Sequence, residues 1–113
     1  EGNSFRIYFG KDLHDRIKPT AVTLGNPFPN PANSSATISF SLPESKSSYK
    51  VQLEVYNSVG QRTAVLVNDT LQAGFYTSTW DIESNKAGLY FYRLSVSSKG
   101  VQQVLTEKII INR

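Results

Sequence analysis

The chain has no cysteine, no methionine, a single histidine and a single tryptophan among its 113 residues. Without cysteine, disulfides and thiolate metal sites are excluded. One histidine, His14, rules out a three-histidine or HExxH metal centre. It also leaves any Ser-His-Asp triad to recruit its base from outside the region after residue 20. No segment reaches the roughly 18 apolar residues of a membrane span, so direct membrane insertion is not expected. Methionine is missing at position 1 as elsewhere, and we therefore expect a piece of a longer polypeptide in which Glu1 marks a cut. No run of one charge sign occurs either. The 12 Lys and Arg are scattered among 9 Asp and Glu for a net charge of +3, without the clustered basic stripe of a nucleic-acid binder.

What the chain concentrates in one place is proline. Asn26-Pro27-Phe28-Pro29-Asn30-Pro31 holds three prolines in six residues. Each removes a backbone donor and fixes φ near about −65°, and each pushes the residue before it toward extended geometry. This run is neither helix nor central strand. It is a stiff, extended lead-in to the first strand.

From residue 21 onward the pattern has period two, broken by turn residues. Ile38, Phe40 and Leu42 share one face of Ala36–Leu42, with Thr37, Ser39 and Ser41 on the other, and Pro43 ends the run. Lys50–Asn57 repeats the alternation with Val51, Leu53 and Val55, and Ser58-Val59-Gly60 turns the chain. Arg62–Val67 returns as a short strand, and Asn68-Asp69-Thr70 carries turn chemistry. Gly74 opens Phe75–Ile82, where Tyr76, Ser78, Trp80 and Ile82 share a face. Gly88 opens Leu89–Ser97, and Lys99-Gly100 turns into a last strand over Val101–Asn112. With no helical period, these segments predict an all-β, Ig-like antiparallel β-sandwich of about seven strands over residues 21–113. Ala73-Gly74-x-Tyr76 and Ala87-Gly88-x-Tyr90 echo each other as two similar strand starts.

Residues 1–20 stand apart. Phe5, Ile7 and Phe9 alternate with Arg6 and Tyr8, and then Lys11–Pro19 is charged and breaks the pattern. They read as the end of a preceding domain plus a linker, or as an extra edge strand of the sandwich.

Catalytic and metal-binding constellations are sparse. Asp81 and Glu83 lie two apart but run into the polar stretch Ser84-Asn85-Lys86, where solvated charges are expected. Asp12 and Asp15 supply too few oxygens for a calcium loop. Gly60, Gly74, Gly88 and Gly100 are isolated, not a phosphate-binding loop. No enzyme activity, cofactor or metal is expected. Trp80 is in phase with Tyr76 and Ile82 and reads as core, the alternative being a sugar-stacking platform. Tyr90-Phe91-Tyr92 makes both faces of its strand apolar, so that strand is covered on both sides or meets a partner. Asp69-Thr70-Leu71 resembles the Asp-Ser/Thr-aliphatic O-glycosylation acceptor of Bacteroidota, the alternative being a polar turn.

Taken in order, these pieces resemble a known family. They are the Asn-Pro run, Ile38-Ser39-Phe40-Ser41-Leu42-Pro43, and Val51-x-Leu53-x-Val55-Tyr56-Asn57-x-x-Gly60. Next come Ala73-Gly74-x-Tyr76-x-x-x-Trp80-Asp81 and Ala87-Gly88-Leu89-Tyr90-Phe91-Tyr92-Arg93-Leu94, and Lys108-Ile109-Ile110-Ile111-Asn112-Arg113 closes. Over residues 22–113 the chain resembles the C-terminal sorting domain (type A) of the type IX secretion system, related to the Ig-like domain of flagellar hook-capping proteins.

The resemblance implies an address attached to an N-terminal cargo in the same polypeptide. It implies passage through the periplasm, recognition by the outer-membrane type IX translocon, removal by a sortase-like peptidase and a secreted or cell-surface destination. Carried over by position, the recognition residues are Pro29, Asn30 and Pro31, then Gly88 and Tyr90, then Lys108 and Arg113. Cleavage is expected upstream of Leu24, around Lys18 to Thr23. The last strand is the expected sheet edge, open to strand addition and steered by its basic residues toward an acidic receptor. Two other readings stay open. One is a structural or adhesive Ig-like module, and the other a carbohydrate-binding module, which needs coplanar exposed aromatics.

Overall fold

Period-two alternation needs a second layer to cover each apolar face, and two stacked sheets supply it. The computed structural model describes residues 4–8, 21–82 and 85–112. In chain order its eight strands are β1 Ser4–Tyr8, β2 Thr23–Leu24, β3 Ser35–Leu42, β4 Tyr49–Asn57, β5 Arg62–Leu71, β6 Gly74–Asp81, β7 Gly88–Ser98 and β8 Val101–Ile111. They form two four-stranded sheets, β1-β6-β3-β2 and β5-β4-β7-β8, with every neighbouring pair antiparallel. No helix occurs among the described residues. This is the expected all-β sandwich. The two-residue β2, too short to show a period, is the strand not foreseen.

The alternation fills the space between the sheets. Ile38, Phe40 and Leu42 of β3 and Tyr76 and Trp80 of β6 meet Val51, Leu53 and Val55 of β4 and Tyr92, Leu94 and Val96 of β7, all buried. Each such side chain is worth about 1.5–3 kcal/mol of burial. Phe40 and Tyr76 stack with ring centroids 5.2 Å apart, and Tyr92, wholly buried, donates from its hydroxyl to the Gly25 carbonyl at 2.6 Å. Ser78 is the exception. It lies in the core phase of β6, fully buried, and its Oγ has no hydrogen-bond partner among the described residues. Ser78→Ala is expected to raise the thermal midpoint, because an unpaired buried hydroxyl costs about 1–3 kcal/mol and alanine removes it with little change of volume. A melting curve at or below that of the parent overturns this.

The register makes one correction. Asn68-Asp69-Thr70 is not a turn: β5 runs through it to Leu71, pairing these residues with Gln52, Val51 and Lys50. β5 is a sheet edge, so exposed polar side chains are tolerated there, and buried Leu71 anchors its end. The glycosylation-like Thr70 is thus an exposed strand residue. At the N-terminus, Ser4–Tyr8 pairs with Tyr76–Thr79 and Phe75 of β6, which is the extra-edge-strand arrangement. His14, Asp12, Asp15, Glu83, Arg113 and the first part of the expected cleavage region lie outside the described residues.

Candidate functional site

The Asn-Pro run does more than lead in. It begins beside β3, where Gly25 N donates to Ser39 O at 2.8 Å and Phe28 exchanges two backbone hydrogen bonds with Thr37 at 3.0 and 2.7 Å. It then crosses to the other sheet. Ala32, buried and parallel to β8, donates to Ile110 O at 2.8 Å and accepts from Asn112 N at 2.8 Å. Between these points Pro29, Asn30 and Pro31 are exposed, and the peptide bonds before both prolines are cis. Proline suits a crossing segment because it has no N–H left to satisfy there. The Asn30 side chain completes the connection: its Oδ1 accepts from Ile110 N at 3.0 Å.

The glycine–tyrosine pair sits at the same end of the molecule. Gly88 is opposite Ile111, Tyr90 opposite Ile109 and Phe91 opposite Lys108. Tyr90 is only 6% exposed, with its ring edge-on to Trp80 at 5.4 Å between centroids and its hydroxyl donating to Lys86 O at 2.8 Å. Gly74 and Tyr76 repeat this arrangement, the Tyr76 hydroxyl donating to Gln72 O. In both, a glycine at positive φ opens the strand (154° at Gly74, 146° at Gly88), and the tyrosine two residues on ties back to the carbonyl four residues before it. The echo in the sequence is one structural device used twice.

The structure therefore brings Asn30, Gly88, Tyr90 and Lys108 to one end of the β7–β8 pair, with Pro29 and Pro31 exposed beside it. Lys108 is exposed. Tyr90 is turned into the core, so it shapes this end and offers no ring to a partner. Trp80 and Tyr92 are buried as well, so the aromatics on which a sugar-platform reading rested are not available as one.

Sequence reasoning flagged the second apolar face at Tyr90-Phe91-Tyr92 but missed what the β5-β4-β7-β8 sheet assembles on its outer face. Across that face the register sets Glu54 beside Arg93 and Thr106, and Tyr56 beside Phe91 and Lys108. Leu89 and Ile110 form the next row, 38% and 47% exposed. The signal was present as apolar residues in the opposite phase to the core: Leu89 between Gly88 and Tyr90, Phe91 between two tyrosines, Ile110 between two buried isoleucines.

Glu54 is buried on this face and accepts from Tyr56 Oη at 2.7 Å and Arg62 Nη1 at 3.0 Å, with Arg93 Nη2 at 3.6 Å. The Arg93 guanidinium also lies over the Tyr56 ring, 4.7 Å from its centroid. Burial alone raises the Glu54 carboxyl, but the hydrogen bonds from Tyr56 and Arg62 and the charges of Arg62 and Arg93 outweigh it and hold it below the usual range. The same hydrogen bond to Glu54, with burial second, raises Tyr56. A carboxyl lowered on folding contributes stability above its ordinary pKa, about 4.3, and loses it as the pH falls through the folded value. Glu54→Gln should therefore flatten the fall of the thermal midpoint between neutral and acid pH; an unchanged slope counts against the assignment. With Glu54 engaged, the exposed cations Lys50, Arg62, Arg93 and Lys108 make this face positive.

A family model for the secretion system C-terminal sorting domain matches residues 26–112. The chain belongs to that family. The match runs from the Asn-Pro run to the residue bonded to Ala32, so it spans both partners of the crossing. The sorting domain is that of the type IX secretion system. Among solved structures it is similar to dimeric latent PorU from Porphyromonas gingivalis, at 29% identity and a TM-score of 0.62, over 80% of this chain and 9% of PorU. It is also similar to the periplasmic chaperone SfaE, at 15% identity and a TM-score of 0.61, over 80% of this chain and 56% of SfaE; that likeness shows the fold alone. The chain thus spans a small part of PorU and about half of SfaE. No curated protein sequence matches it. Among the described residues no three metal-ligating side chains come together.

Proposed function

We propose that residues 21–113 act as the address that takes an N-terminally attached cargo through the periplasm to the outer-membrane type IX translocon. In this reading the domain carries no catalysis of its own. A sortase-like peptidase then cuts around Lys18 to Thr23, and the cargo is secreted or held at the cell surface. The observation that carries the reading is the hydrogen bond from Ile110 to Asn30, two residues 80 positions apart. It joins the Pro-Asn-Pro motif to the terminal strand, so the family's separated motifs make one end of one surface. Pro29, Asn30, Pro31, Lys108 and Arg113 are the residues proposed to meet the translocon, with Gly88 and Tyr90 setting the shape beneath them.

The test is a fusion of residues 1–113, and separately of 21–113, to a periplasmic fluorescent protein in a bacterium that has this secretion system. Fluorescence is expected at the surface for both fusions, and in the periplasm when the translocon is deleted. Retention of both fusions in cells with an intact translocon overturns the reading. Export of the longer fusion alone would move the boundary of the address to include β1.

A further inference from the structure

We infer that β8 carries a landing strip for an extended segment of a partner in which acidic and apolar residues alternate. β8 is the edge of its sheet, and its register against β7 is unbroken from Val101 to Ile111. In an antiparallel ladder, alternate residues aim their N–H and C=O at opposite neighbours. Ile110 aims both at the outer side, where Asn30 and Ala32 take them. By the same parity the backbones of Gln102, Val104, Thr106 and Lys108 face outward, and no strand among the described residues pairs with them. The Asn30 and Ala32 contacts close the edge at Ile110. They limit an incoming strand to residues 102–108. A long edge of this kind, with Val104 52% exposed, is the template onto which strands add.

The two faces of the strip differ, and they specify the partner. On the outer face an added strand lies beside Lys108 and the cationic rows of Arg93 and Lys50, where acidic side chains are favoured. On the inner face it lies beside Val101, Gln103, Leu105 and Glu107. A groove of about 200 Å³ opens there, lined by Val22, Pro43, Tyr49, Val96 and Val101 together with Ser45, Ser98 and Gln103. It takes apolar side chains, and Glu107 disfavours acidic ones on that face. The strip needs the sorting reading only for the source of the partner, a component of the export machinery.

The probe is the heptapeptide Glu-Val-Glu-Val-Glu-Val-Glu, with its lysine counterpart as control, added to the 113-residue chain. Amide exchange at Gln102, Val104, Thr106 and Lys108 is expected to slow by about tenfold or more with the acidic peptide and not with the basic one. Thr106→Pro removes one outward N–H and leaves the β7 ladder intact, so it should abolish protection at an unchanged thermal midpoint. Thr106→Val, which keeps the N–H, should bind as the parent does. Lys108→Glu should reverse the preference between the peptides. In the fusion, Thr106→Pro should trap cargo in the periplasm. Three results overturn the inference: equal protection by both peptides, normal export of the Thr106→Pro fusion, or protection without peptide that grows with protein concentration and so marks a second copy as the occupant. Failure of the unmutated fusion to export would count against the sorting reading alone, and the peptide measurement would still decide whether the strip exists.

Discussion

Truncation after Lys108 is expected to unfold the domain and not merely to blunt its signal. Ile109 and Ile111 are buried between the sheets, and they face Tyr90 and Gly88 across the β7–β8 ladder. Removing a buried isoleucine costs about 2–5 kcal/mol even when the rest of the residue stays. The truncation removes two, together with the ladder hydrogen bonds and the contacts of Ala32 and Asn30. Domains of this size have about 5–15 kcal/mol in total. The truncated chain should therefore lack a cooperative thermal transition, while Ile109→Val melts only slightly below the parent. A truncated chain with a sharp transition near the parent's would show that the last strand is dispensable to the fold. The consequence for secretion is direct: loss of export on deleting residues 109–113 does not identify a recognition contact, whereas Lys108→Glu and Thr106→Pro leave the core in place and do.

Gly88→Ala is expected to destabilise the domain by about 1–3 kcal/mol, a cost set by the backbone alone. Gly88 has a φ of 146°, and a Cβ built there would meet nothing within 4 Å. The residue has space for a side chain and no conformation for one. Valine should be worse, because a branched side chain narrows the backbone further. In a domain of this size each kcal/mol lowers the midpoint by roughly 4–8 °C. Gly74, with a φ of 154°, should behave alike, since the two glycines start equivalent strands. Export of a Gly88→Ala fusion should fall only as far as its stability does. A variant of parental stability that no longer leaves the periplasm would instead make Gly88 a contact with the translocon.

Much of the fold was legible because burial on one face writes itself into the chain as period two. Ile38-x-Phe40-x-Leu42, Val51-x-Leu53-x-Val55 and Tyr76-x-Ser78-x-Trp80 each named their inward residues, and each is buried. The failures came where that rule is relaxed. Asn68-Asp69-Thr70 looked like a turn because an edge strand has no second neighbour and tolerates polar residues. β2 escaped because two residues show no period.

The candidate site was legible as motifs and illegible as a surface. Gly88 and Tyr90 stood out in the sequence, but their spacing could not reveal that the tyrosine ring points inward and its hydroxyl ties the chain back to Lys86. Phe91 stood out as an apolar residue on the second face of its strand, but nothing joined it to Leu89 and Ile110. Only the register showed them in rows on an exposed face beside Lys108. Lys50, Arg62, Arg93 and Lys108 looked scattered until the strands set them on one side, with Glu54 withdrawn into a bonded cluster.

By itself, the sequence determined the class of fold, the inward residues of the central strands, the turn glycines and the family. These are local properties: side-chain alternation, backbone freedom and proline geometry act between near neighbours. The tertiary structure alone decided that the Pro-Asn-Pro crossing closes one end of the terminal strand and leaves residues 102–108 of its edge open. That depends on a hydrogen bond across 80 residues, and a contact of that range leaves no periodic trace in either segment.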